Sequence, residues 1–351
     1  MVNRLFTSNF DEMKKFVIVI TLTLGVPILI ILCLFLCTDP FRTLHEFDIN
    51  DVDATNREYL STELFLRNYT NYSYDSFVFA SSRGGGINTY TWKTYIGEDT
   101  QPYLFQSWSE TLTGVQLKIN YLHENKIPIR NALLLIDIPG TFSKKQLPYE
   151  SLSLKHYKFT DMPKWVYNCV HLFNFIQSPT LWIQSVKKTL RHQQYCFSSD
   201  TITNDYKVEN YLYFATIPPQ DSLKYCSDMT RQTFLAKITN KSVEDAQMSS
   251  PLINTKFKEQ LRDIKSIFDL NCTDYYILIT PGFCYTSEYI NCQDLEILYD
   301  IFGSNRVHDY SAPNELNMDY NNFSDPAHFD LHTGFIILKE IYGDMGNIKN
   351  K

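Results

Sequence analysis

The longest apolar run, residues 16–37, reads FVIVITLTLGVPILIILCLFLC, 22 residues without a charge. That length crosses a hydrocarbon core as a helix, and Pro27 is tolerable there because a membrane helix can re-satisfy freed backbone groups. Arg4, Lys14 and Lys15 precede the run, whereas Asp39, Glu46, Asp48, Asp51 and Asp53 follow it. The positive-inside bias therefore predicts residues 1–15 in the cytoplasm, one span over 16–37, and the remainder outside. The run is too long for the apolar region of a cleaved signal peptide, and no small-residue cleavage site follows it. Residues 38–72 are polar and acidic and read as a stalk.

Beyond the stalk the pattern changes. Phe77-Val78-Phe79-Ala80, Ala132 to Ile136 and Tyr275 to Thr280 are continuous, unalternating apolar runs. Such runs suit parallel strands covered on both faces. Between them lie helical spacings. Leu112, Val115, Ile119 and Leu122 mark a helix over 109–125, with Ser109 as N-cap and Glu110 in its first turn. Further helices are predicted over about 254–268, 295–302 and 333–342, with a short strand over 306–310. Strands alternating with helices predict right-handed crossovers and an α/β fold: a three-layer α/β/α domain over 73–345 around a mostly parallel sheet. From about 141 to 248 the rhythm lapses into an aromatic stretch containing Trp165, Tyr167, Phe173, Phe175 and Trp182. It reads as a mostly helical insertion over one end of the sheet.

Composition narrows the possible partners. Apolar residues make up 44% of the 351-residue chain, enough for a packed core. The net charge of −7, with no basic aromatic-interleaved patch, argues against nucleic acid. Six cysteines (Cys169, Cys196, Cys226, Cys272, Cys284, Cys292) lie beyond the span, an even number that permits disulfides in an exported domain. None stands at zinc-ligand spacing, so no metal is predicted.

Candidate chemistry gathers at two distant places. The first strand run ends in SSRGGG, Ser81 to Gly86. These glycines lack the spacing of a dinucleotide fingerprint, no phosphate-binding GxxxxGK[ST] occurs, and no cofactor is predicted. Near the other end, NNFSDPAHF places Asp325 and His328 three residues apart, just before the last helix. A serine nucleophile needs a base for its proton, and the base needs a carboxylate to hold its tautomer. Asp325 and His328 can meet the second need locally; the sheet must bring Ser82 to His328 to meet the first. His332 is the competing base, without an Asp three residues before it. Arg83 is a candidate contact for an anionic substrate group, or a cap for the following turn.

FASSR after the first strand, with DPAH before the last helix, resembles the SGNH/GDSL hydrolase superfamily over roughly 73–342. The likeness is nearest to its membrane-anchored bacterial members of the kind of the D-alanyl transfer protein. The resemblance implies Ser82 as nucleophile, with Ser81 replacing the usual Asp, and His328 and Asp325 as base and orienting acid. It implies an esterase or O-acyltransferase in a bacterial envelope, acting on an acylated glycan or small ester without metal or cofactor. Two departures accompany it. The family's oxyanion glycine after the second strand is missing around Trp108-Ser109-Glu110, where a backbone N–H of Ser109 is the candidate substitute beside that of Ser82. The family's Asn after the third strand is Asp137 here. An ionised carboxylate aimed at the site would repel a developing oxyanion, so Asp137 is protonated, points elsewhere, or marks a site that has diverged into a glycan- or partner-binding domain.

Overall fold

The computed structural model describes residues 12–45, 57–143, 154–191 and 246–346. Its first helix, α1, runs over Glu12–Thr38 and is the one described helix long and apolar enough to cross a membrane. Pro27 has no N–H to donate, and its ring crowds the carbonyl four residues earlier. The helix accommodates this with a π-turn over Thr21–Gly25.

Helix α2 spans Arg57–Tyr72, β1 Ser76–Ala80, α3 Thr89–Ile96, β2 Pro102–Gln106, α4 Leu112–Glu124 and β3 Asn131–Ile136. Helices α5 (Lys164–Ile176) and α6 (Pro179–Arg191) follow. Then come β4 (Gln247–Met248), α7 (Thr255–Leu270), β5 (Asp274–Ile279), β6 (Glu288–Tyr289), α8 (Cys292–Phe302) and β7 (Val307–Asp309). The chain closes with α9 (Glu315–Met318), β8 (Phe323–Asp325), β9 (His328–Phe329) and α10 (Leu331–Gly346).

Five strands form one parallel sheet in the order β2-β1-β3-β5-β7. Their side chains alternate between two apolar cores. Phe77, Phe79, Leu134, Ile136, Ile277 and Ile279 pack with residues of α2, α4, α7 and α8. Val78, Ala80, Leu133, Leu135 and Leu278 pack with Trp92 and Ile96 of α3 and with Ile337, Leu338 and Ile341 of α10. Burial on both sides is why β1 and β3 carry no polar alternation. The order turns back between β1 and β3, and sites in such sheets lie beyond the carboxyl ends of the strands. Ser82, Asp137 and Thr280 all follow strand ends there.

Several expectations change. The segment assigned to a stalk contains α2, which belongs to the domain: Tyr59, Leu60, Leu64 and Phe65 are buried in the first core. Its polar positions are matched by distant partners, which a local pattern does not reveal. Ser61 Oγ accepts the Gln106 N–H of edge strand β2 at 3.1 Å, and its carbonyl accepts the Tyr103 hydroxyl. Helix α4 starts two residues later than its predicted first turn, with Thr111 as N-cap receiving the Gly114 N–H. Glu110 is instead drawn into a buried ion cluster. Within the predicted insertion α5 and α6 are helical, while 144–153 and 192–245 lie outside the described residues. Cys169, Cys272, Cys284 and Cys292 are free thiols, and Cys196 and Cys226 fall outside the described residues.

Candidate active site

Buried strand β1 delivers Ser81 and then a 3₁₀ turn over Ser82–Gly86. Ser81 caps that turn, its Oγ accepting the Arg83 N–H at 3.1 Å. Ser82 opens it, at a position whose N–H has no partner inside the turn. Its carbonyl accepts Gln106 Nε2 at 3.2 Å.

Asp325 and His328 come from the two strands of a small antiparallel hairpin, β8–β9, joined by Pro326-Ala327. Asp325 Oδ1 accepts the N–H groups of Ala327 at 2.8 Å and His328 at 3.1 Å, which fixes the turn. The same carboxylate lies 2.7 and 2.8 Å from His328 Nδ1, so that nitrogen carries the proton. His328 Nε2 is left to face Ser82 Oγ at 2.8 Å, across 246 positions of sequence. Burial pushes the Asp325 carboxyl up, but the bond and charge of His328 and the two N–H donors outweigh it. The net pKa is lowered, and Asp325 is a carboxylate at neutral pH.

Two glycines permit this approach. A methyl at Gly86 would lie inside the Phe329 ring, and one at Gly334 would meet the Gly86 carbonyl. Turn, β9 and α10 therefore dock backbone to backbone, and His328 stands beside Phe329 in that contact. The hairpin is also tied to the loop after β5, since the Phe283 N–H donates to the Pro326 carbonyl at 3.0 Å. His332, the competing base, is exposed on α10.

Asp137 is held to neighbouring strand ends. Ser81 Oγ donates to its Oδ2, and Thr280 Oγ1 donates to its Oδ1 at 2.7 Å. Arg83 completes the group, donating from Nη1 to Thr280 Oγ1 at 2.9 Å with its Nε 4.0 Å from Asp137 Oδ1. This knot joins the ends of β1, β3 and β5. It occupies both Asp137 oxygens and gives Arg83 partners within the protein.

Ser109 is exposed and has φ +51°, the left-handed backbone that glycine usually supplies. The loop is anchored on both sides of it. The Ser107 N–H donates to the Ala80 carbonyl at 3.1 Å, and buried Glu110 bonds Lys118 and Lys155. Burial pushes Glu110 up, but the two ammonium groups outweigh that and hold its carboxyl at about 2.

The set of Ser82, His328 and Asp325 is thus assembled, with Arg83 in the same 3₁₀ turn as Ser82 and Ser109 and Asp137 on loops after β2 and β3. Gln106 and Thr280 were missed as site residues. Each is the polar residue closing an apolar strand run, and that position was the signal available. Among the described residues no group of His, Cys, Asp and Glu is arranged to hold a metal ion. The arrangement suits proton transfer from a serine hydroxyl to an imidazole held by a carboxylate. In comparisons with known proteins, the chain matches no family model and no curated protein sequence.

Proposed function

We propose that the chain is a membrane-anchored serine esterase or O-acyltransferase acting outside the cytoplasm on an acylated cell-surface glycan. In this reading α1 is its single span, residues 1–15 are cytoplasmic, and the sheet with its covering helices is a three-layer α/β/α domain of the SGNH kind. The observation that carries it is the continuous chain Ser82 Oγ, His328 Nε2, His328 Nδ1, Asp325, with contacts of 2.7–2.8 Å. The membrane position and the glycan rest on α1 and on the resemblance of FASSR and DPAH.

The chemistry follows from the order of the groups. Ser82 Oγ attacks the acyl carbon while its proton passes to His328 Nε2. The Asp325 carboxylate faces the imidazolium that forms. In this reading the N–H groups of Ser82 and Ser109 receive the oxyanion, with the left-handed backbone of Ser109 standing in for the family's glycine. Collapse of the tetrahedral adduct breaks the ester C–O bond, and His328 returns the proton to the departing sugar oxygen. Water or a second hydroxyl, deprotonated by His328, then attacks the acyl-serine and releases Ser82.

A second reading, a degenerate domain that binds glycan without turnover, is favoured by one observation. Asp137 supplies no donor where the family has an Asn. Hydrolysis of p-nitrophenyl acetate by the full chain in detergent separates the two. Turnover that disappears in His328→Ala supports the esterase; none in the wild type, or equal rates in both, supports the binding domain.

A further inference from the structure

Helix α5 presents an apolar side outwards, and α6 exposes two further apolar residues. On α5, Trp165, Cys169, Phe173 and Ile176 recur at spacings of four, four and three and share one exposed face. Trp165 is 70% and Phe173 51% exposed. The opposite face turns Tyr167, His171, Asn174 and Phe175 inwards. Ile183 and Val186 of α6 are also exposed. From Trp165 to Val186 there is no Asp, Glu, Lys or Arg, while Lys164, Lys187 and Lys188 flank the stretch. A helix whose outward face is more apolar than its inward face is built for a surface other than water.

The same helices seat the end of α1. Phe35 packs on Phe175 with ring centres 5.4 Å apart, and Phe41 lies against His171 at 4.5 Å. Ile31 and Leu34 join Leu172, Leu181 and Trp182 around them. The contact thus falls on the last two turns of α1, where the span leaves the hydrocarbon. Tryptophan, aliphatic side chains and flanking lysines at that depth match the headgroup boundary of a bilayer.

We propose that α5 and α6 form a collar lying in the bilayer interface at the exit of α1, with the lipid surface as occupant of their exposed face. This rests on the reading of α1 as a membrane span. The collar holds the domain against the membrane and confines its reach to substrates near the lipid surface.

The test uses Trp fluorescence of the full chain in vesicles of phosphatidylcholine and phosphatidylglycerol. Lipids brominated near the headgroup end of the acyl chain should quench the wild type, and Trp165→Phe should lose a distinct share of that quenching. Separately, Leu24→Trp should add emission quenched by lipids brominated near the methyl end. Quenching of Leu24→Trp with no change in Trp165→Phe overturns the collar and leaves the span standing. In that outcome, aqueous iodide reaching Trp165 means a hydrated face, and iodide failing to reach it means a protein partner or second copy. Failure of both bromolipids to quench Leu24→Trp overturns the span, and the collar with it.

Discussion

Two adjacent serines end β1, and their side chains serve different partners. Ser81 is the extended cap that precedes the 3₁₀ turn and Ser82 is the first residue within it, so their side chains leave the backbone in different directions. Ser81 Oγ points to Asp137, whereas Ser82 Oγ points to His328. Ser81 therefore closes a structural knot, and Ser82 is left as the proposed nucleophile. Ser81→Ala would strand an acceptor of Asp137 and remove the cap on Arg83, costing about 1–3 kcal/mol in urea unfolding. Hydrolysis of p-nitrophenyl acetate should survive in that variant; its loss with an intact fold would move the nucleophile to Ser81. Asp325 bonds His328 and its own turn. Asp325→Asn removes the charge facing the imidazolium and the preference for a proton on Nδ1. The expected result is a fall in kcat of about 10,000-fold with KM nearly unchanged, measured by steady-state hydrolysis. A comparable rate in the variant would contradict the assigned role.

At the scale of elements, the site depends on close packing between the Ser82–Gly86 turn and the β8–β9 hairpin. Gly86→Ala pushes a methyl into the Phe329 ring. Overpacking of this kind costs about 1–3 kcal/mol, and here it also displaces His328. Thermal unfolding and hydrolysis should fall together; an unchanged melting temperature would show that the contact is not tight. Strands β1, β3 and β5 were legible because burial on two faces leaves unbroken apolar runs, whereas edge strand β2, five residues opened by Pro102 and closed by Gln106, was not. The hairpin was not, since β9 is two residues long and too short to carry a period. Helix α2 was hidden for a different reason. Glu58 is fully buried against Lys118, 60 positions away, and a local pattern cannot reveal a charge neutralised by a distant partner.

For the whole molecule, alternating runs of strand and helix were enough to predict a parallel sheet with crossovers. Once the carboxyl ends of the strands share one edge, Ser82, Asp137 and Thr280 must gather there. Asp325 and His328 were legible as a local pair. Their meeting with Ser82 was not, because it depends on Gly86, Gly334 and Phe329 closing one contact across the fold. The direction of Asp137 was equally hidden, since Ser81, Thr280 and Arg83 set it together from two other strand ends.

The central claim is that Ser82 is a nucleophile activated by His328. A fluorophosphonate probe, followed by peptide mapping of the full chain, tests it most directly. The account predicts phosphonylation at Ser82 in the wild type, none in Ser82→Ala, and strongly slowed labelling in His328→Ala. Absence of labelling in the wild type, or equal labelling of Ser82→Ala, would contradict it.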